Sequence, residues 1–189
     1  MNISYTLIVA LMFITILSFG IANLLSSMAE ILNNKKNTKV TIVHLNWIVI
    51  LLILHFNMAW AAVLLATVKS WPYGTFLFIV LGPILAFFSA SIIAPCATDD
   101  KKPATLISNY LNIRQQFFVL FVMIQAWAIG TDYILQHGAT GSNAFNILLI
   151  FLSIVMFKTN SYQKHVYGVV VAWSLYITAI VLRSLSIIN

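Results

Sequence analysis

The stretch "HLNWIVILLILHFNMAW", His44 to Trp60, decides the class of this chain. Its apolar residues show neither the alternation of a half-buried strand nor the charged face of a surface helix. The apolar character runs on at both ends, over about 41–67. About 20 such residues, rising 1.5 Å each as a helix, cross the hydrocarbon of a bilayer. The stretch reads as a membrane span that carries four polar side chains. His44 and His55 are eleven residues apart, close to three helical turns, so they share a face. Asn46 and Asn57 repeat that spacing on a roughly opposite face. Trp47 falls near the histidines and Trp60 near the asparagines. A span with polar groups in two directions is expected to have neighbours on both sides.

The rest of the chain agrees with that reading. Of 189 residues, 61% are hydrophobic and 7% charged, against about 25% charged in soluble domains. So little charge excludes a water-facing fold and predicts one polytopic membrane domain over 1–189. Six segments are apolar enough to span, at about 5–27, 41–67, 75–94, 115–136, 143–158 and 166–187. The fifth is short and needs local thinning of the bilayer, or help from Ser142 and Asn143. Backbone groups in lipid must be satisfied internally, which leaves helices or a closed barrel. A barrel requires alternating segments, and none is present. The fold class is therefore all-α, a six-helix membrane bundle. The opening "MNISYTLIVALMF" has no basic residue before its apolar core, so it reads as a retained first span rather than a signal peptide.

The basic residues set the threading. Lys35, Lys36 and Lys39 lie between spans one and two, Lys101, Lys102 and Arg114 between three and four, and Lys158 and Lys164 between five and six. The opposite side carries Lys69 and Arg183 alone. Cytoplasmic loops are enriched in Lys and Arg, so those three connections are expected inside and both termini outside. Trp71 and Tyr73 would then anchor at the outer interface. A net charge of +6 could suggest nucleic acid, but the charges form no basic stripe, and that partner is rejected. The cluster Asp99 to Lys102 reads as solvated loop.

Helices in lipid associate through close contact and polar links. The third span repeats small residues every fourth position, Gly82, Ala86, Ala90 and Ala94, with Pro83 inside, and is expected to be central. Ser18, Ala22 and Ser26 make a shorter strip on the first span, and Gly168 with Ala172 another on the sixth. On the fourth span Arg114, Gln125, Asp132 and Gln136 share a face at intervals of eleven, seven and four. Arg114 and Asp132 lie about 27 Å apart by helical rise and cannot pair. Asp132 with Arg183 is the expected outer-rim ion pair. His55, Asn57 and Gln125 form the candidate polar site at the midplane, because ionisable or polar groups at depth are functional candidates. The competing reading is interhelical glue, worth about 0.6 kcal/mol per hydrogen bond.

Other chemistries find less support. His44, His55, His137 and His165 are too scattered for a metal site, and Cys96, the single cysteine, has no thiol partner. His44 and His165 both fall at the cytoplasmic edge and are candidate axial ligands for haem. Quinone is the related redox alternative. No nucleophile motif or Gly-rich phosphate loop occurs.

The segments "HLNW" (44–47), "WPYGTFLF" (71–78), "NYLNIRQQFF" (109–118) and "SYQKHVYG" (161–168) resemble an uncharacterised family of small six-span bacterial inner-membrane proteins. That resemblance implies a bacterial inner membrane and carries no activity or site residue. The expected role is non-enzymatic: a binding, transport or accessory protein in the lipid bilayer, with a haem or quinone protein and a structural subunit as alternatives. Another membrane subunit or a homo-oligomer are the partners in view.

Overall fold

Period and length along the apolar segments produce helices and nothing else among the described residues. The computed structural model describes residues 5–33, 42–65, 68, 71–94, 106–136 and 141–188. The helices are α1 (Tyr5–Asn33), α2 (Ile42–Leu65), α3 (Tyr73–Ile93), α4 (Leu106–Gln136), α5 (Gly141–Lys158) and α6 (Tyr162–Ile188). Five are long and apolar enough to cross a membrane, over Leu7–Ile31, Val43–Val63, Tyr73–Ile93, Tyr110–Leu135 and Tyr162–Leu182. The apolar part of α5, Asn143–Lys158, is shorter. Each expected span coincides with a helix, but α1 and α4 run further than hydropathy indicates. Hydropathy marks where a helix is apolar, whereas the helix itself continues through residues such as Asn109 and Asn112. Lys35, Lys36, Lys39, Lys69, Cys96, Asp99, Lys101, Lys102 and His137 lie outside the described residues, as do the side chains of Gln136 and Arg183.

The helices gather into two units, Met1–Ile113 and Arg114–Asn189, divided within α4. In the first, α1, α2 and α3 pack pairwise against one another. The buried stripe of α1 is Ala10, Phe13, Leu17, Gly20, Leu24, Ser27 and Ile31. Its intervals alternate between three and four, the 3.5-residue period of a seam that stays on one side of a gently supercoiled helix. The small strip expected on this helix, Ser18, Ala22 and Ser26, is exposed instead. The Ser18 hydroxyl donates to the Ile14 carbonyl of its own helix at 2.8 Å, so it needs no neighbour. The strip on α3 behaves as its spacing predicts: Gly82, Ala86 and Ala90 are buried, and α3 runs unbroken through Pro83. Among the described residues a polar link joins α1 to α3, from Asn23 Nδ2 to Ser91 Oγ at 3.3 Å.

In the second unit α5 packs on α6. Gly168 and Ala172 on α6 are buried, as expected. A Cβ at Gly168 would lie 3.2 Å from Cγ and Cε of Met156 on α5, and closer still to Sδ. Side-chain contacts among the described residues bind α4 to this hairpin. Arg114 donates to the Asn160 side chain, Phe118 stacks on His165 at 5.9 Å, and Gln125 hydrogen-bonds Tyr176.

Candidate functional site

The face of α2 that carries the histidines is the buried one. Trp47, Leu51 and His55 are each 0% exposed, and His44 and Met58 are buried beside them. The amide face is different: Asn57 and Trp60 are exposed, the latter by 81%. The periodicity therefore assigns the two faces correctly and leaves open which faces the core. His55 and Asn57 are two residues apart, about 200° around the helix, so these two members of the candidate midplane site are not brought together.

His55 has an unusual environment. Its Nδ1 lies 2.8 Å from the Leu51 carbonyl one turn back. A carbonyl only accepts, so Nδ1–H donates and the neutral ring keeps its lone pair on Nε2. That nitrogen is buried and has no hydrogen-bond partner among the described residues. The reason is the neighbour opposite. The ring lies flush against Gly20 of α1, where a Cβ would stand 2.8 Å from His55 Cδ2 and closer still to Nε2. Only glycine leaves room for an imidazole at this helix crossing.

Gln125 is 3% exposed in α4. It shares a side-chain hydrogen bond with Tyr176 of α6, and its Nε2 has no partner among the described residues. Nothing in the spacing of polar residues alone joins Tyr176 to Gln125. The usable signal is helix direction. The Phe118–His165 stack sets the register of two parallel helices, and a long side chain on α6 leans back toward its N-terminus.

His44 and His165 share a different task. His44 Nε2 is 2.5 Å from the carbonyl of Ile93, the last residue of α3. His165 Nε2 is 3.0 Å from the carbonyl of Thr159, the residue after α5. The final carbonyls of a helix have no donor within it, and in each case an imidazole N–H supplies one. Both rings are also held by an aromatic neighbour, His44 by Tyr110 at 6.1 Å and His165 by Phe118 at 5.9 Å. The nitrogen that would ligate an iron through Nε2 is thus engaged with backbone in both candidate haem ligands.

Asp132 is half-buried in α4, and the expected pair with Arg183 falls on a side chain outside the described residues. No group of three His, Cys, Asp or Glu gathers among the described residues. The arrangement as a whole can hold helix ends together, close two helices over a glycine and present one amide outward. The chain matches no family model, no curated protein and no solved structure.

Proposed function

We propose that this is a non-enzymatic multi-pass protein of a bacterial inner membrane, with six spans and both termini outside. It serves as an accessory protein that associates with another membrane subunit, or a second copy of itself, through the outward face of α2. The observation that supports this reading is Asn57. It lies within the apolar stretch Val43–Val63, is exposed, and makes no side-chain hydrogen bond among the described residues. Phe56, Trp60 and Val63 are exposed around it. Lipid tails offer no donor or acceptor to a carboxamide, so such a group is satisfied by another polypeptide.

The test is cross-linking at this position. Asn57→Cys in a Cys96→Ser background, oxidised in native membranes, is expected to give one defined adduct whose mass separates a second copy from a different subunit. Asn57→Leu is expected to weaken recovery of the same complex by about threefold to tenfold, the range of one interhelical hydrogen bond. Migration as an unmodified monomer at every oxidant concentration would defeat the proposal.

A second reading, solute or ion binding at depth, is supported by the buried, unpartnered Nε2 of His55. It predicts flux through the parent protein in liposomes and its loss in His55→Gln. Equal flux from both proteins, or none from the parent for any ion tested, would remove it.

A further inference from the structure

The outward face of α2 presents a carboxamide at a level where the bilayer offers it no partner. The apolar stretch Val43–Val63 has its middle at Ile53. Asn57 is four residues further on, about 6 Å by helical rise. Half of the hydrocarbon is about 15 Å thick, so neither water nor a lipid headgroup lies at that level. The Asn57 side chain is exposed and makes no hydrogen bond among the described residues. Phe56, Trp60 and Val63 are exposed around it, and Ala61, one turn along, is exposed as well. None of these carries a charge, and Ala61 lets a second helix come close.

Two properties of such a face select its occupant. A multi-pass chain inserts in one orientation, set by its basic connections, so all copies in a membrane point the same way. Two copies that share a contact face are then related by a two-fold axis along the membrane normal. Residue 57 of one copy meets residue 57 of the other at the same depth, with no adjustment of register. A carboxamide is also its own complement. It carries two N–H donors and an oxygen with two lone pairs, so two asparagines related by the axis exchange a pair of reciprocal N–H···O bonds. Copies of a charged side chain would repel each other there, and copies of an amide do not. A different subunit would need a polar group of its own at the matching level, whereas a second copy supplies one automatically.

We propose that the partner on this face is a second copy of the chain, joined to the first by reciprocal Asn57–Asn57 hydrogen bonds across a two-fold axis along the membrane normal. This pairing rests on the reading of Asn57 as a group satisfied by another polypeptide, and names that polypeptide. The contact strip is Ile53, Asn57 and Ala61, at intervals of four, with Trp60 beside it. Phe56 is about 100° round the helix from Asn57 and lies at the margin, with Val63 on the same side. The apolar margin keeps lipid out of the amide pair, and a hydrogen bond shielded in this way holds two helices together.

The experiment co-expresses the full chain with two different tags, both copies Cys96→Ser, and reads them in native membranes. Capture through one tag is expected to bring down the other. Asn57→Leu is expected to lower that co-capture about tenfold, the loss of two interhelical hydrogen bonds, and Asn57→Gln, which keeps the carboxamide, to retain most of it. Cysteines are then placed one at a time, as Phe56→Cys, Asn57→Cys, Ala61→Cys and Val63→Cys. A disulfide needs Cα atoms within about 7 Å. Oxidation is therefore expected to join the two tagged copies at Asn57→Cys and Ala61→Cys, and at least about fivefold less at Phe56→Cys and Val63→Cys. Three of these four variants keep Asn57, so they read the interface independently of how Asn57→Leu folds. An adduct with a different protein and none between tagged copies would overturn this pairing and leave the association proposed above standing. No adduct of any kind would remove both. Cross-linking at Phe56→Cys or Val63→Cys in place of Asn57→Cys, or co-capture unchanged in Asn57→Leu, would overturn the asparagine pair.

Discussion

Gly20→Ala is expected to destabilise the first helical unit by about 2–3 kcal/mol, the upper part of the range for overpacking a tight contact. The new Cβ would meet His55 Cδ2 at 2.8 Å and Nε2 closer still. The imidazole cannot step aside cheaply. It is planar, fully buried, and its Nδ1–H is held on the Leu51 carbonyl at 2.8 Å. Either the ring turns and leaves that carbonyl, or α1 moves away from α2 and opens the seam that includes Leu17 and Leu24. Gly168→Ala supplies the comparison. There the new atom meets the tip of Met156, a flexible thioether that repacks readily, and the expected cost is under about 1 kcal/mol. Thermal unfolding of the purified protein in detergent measures both. The His55→Ala background then isolates the cause, since removing the ring should remove most of the Gly20→Ala penalty, a coupling of about 1 kcal/mol or more. If Gly20→Ala costs as much without the histidine as with it, the helix crossing is not limited by this contact.

His44→Ala is expected to have an effect of similar size, about 3 kcal/mol, by a different route. His44 is 2% exposed and donates to the last carbonyl of α3. Alanine leaves a cavity beside Tyr110 and strands that carbonyl at a helix end. Two further variants divide these effects. His44→Phe fills the volume and offers no donor, so about 1–3 kcal/mol of the loss should remain. His44→Gln carries an amide donor on a shorter side chain and should recover part of it. A His44→Phe protein that melts with the parent would show that the hydrogen bond contributes nothing measurable. The same logic applies at His165, whose acceptor is the Thr159 carbonyl.

Much of the architecture is legible before any coordinates, because lipid imposes it. The number of helices follows from the six apolar segments, and the buried strips on α3 and α6 follow from small residues at every fourth position or one such pair. The strip on α1 departs from its expected burial for a definable reason. Ser18 satisfies itself within its own helix, so a small polar residue there signals nothing about a neighbour, whereas a single glycine between Leu17 and Leu24 marks the close approach. The histidines show where sequence reading stops. Their spacing correctly places His44 and His55 on one face, but the partner of His44 is a backbone carbonyl forty-nine residues away. Any residue has a carbonyl, so side-chain chemistry cannot point to it. Asn57 is a milder case: the face opposite the histidines was legible, and its exposure was not, because an amide suits a helix interface and an outward contact equally well.

The unequal lengths of α4 and α5 have a mechanical consequence. The apolar part of α4 covers 26 residues, about 39 Å at 1.5 Å each, while all of α5 covers 18, about 27 Å. The hydrocarbon of an ordinary bilayer is about 30 Å thick. No single thickness suits both; were both to cross one bilayer, tilt of α4 or local thinning beside α5 would have to absorb the difference. Thinner bilayers are therefore expected to suit α5, and thicker ones α4.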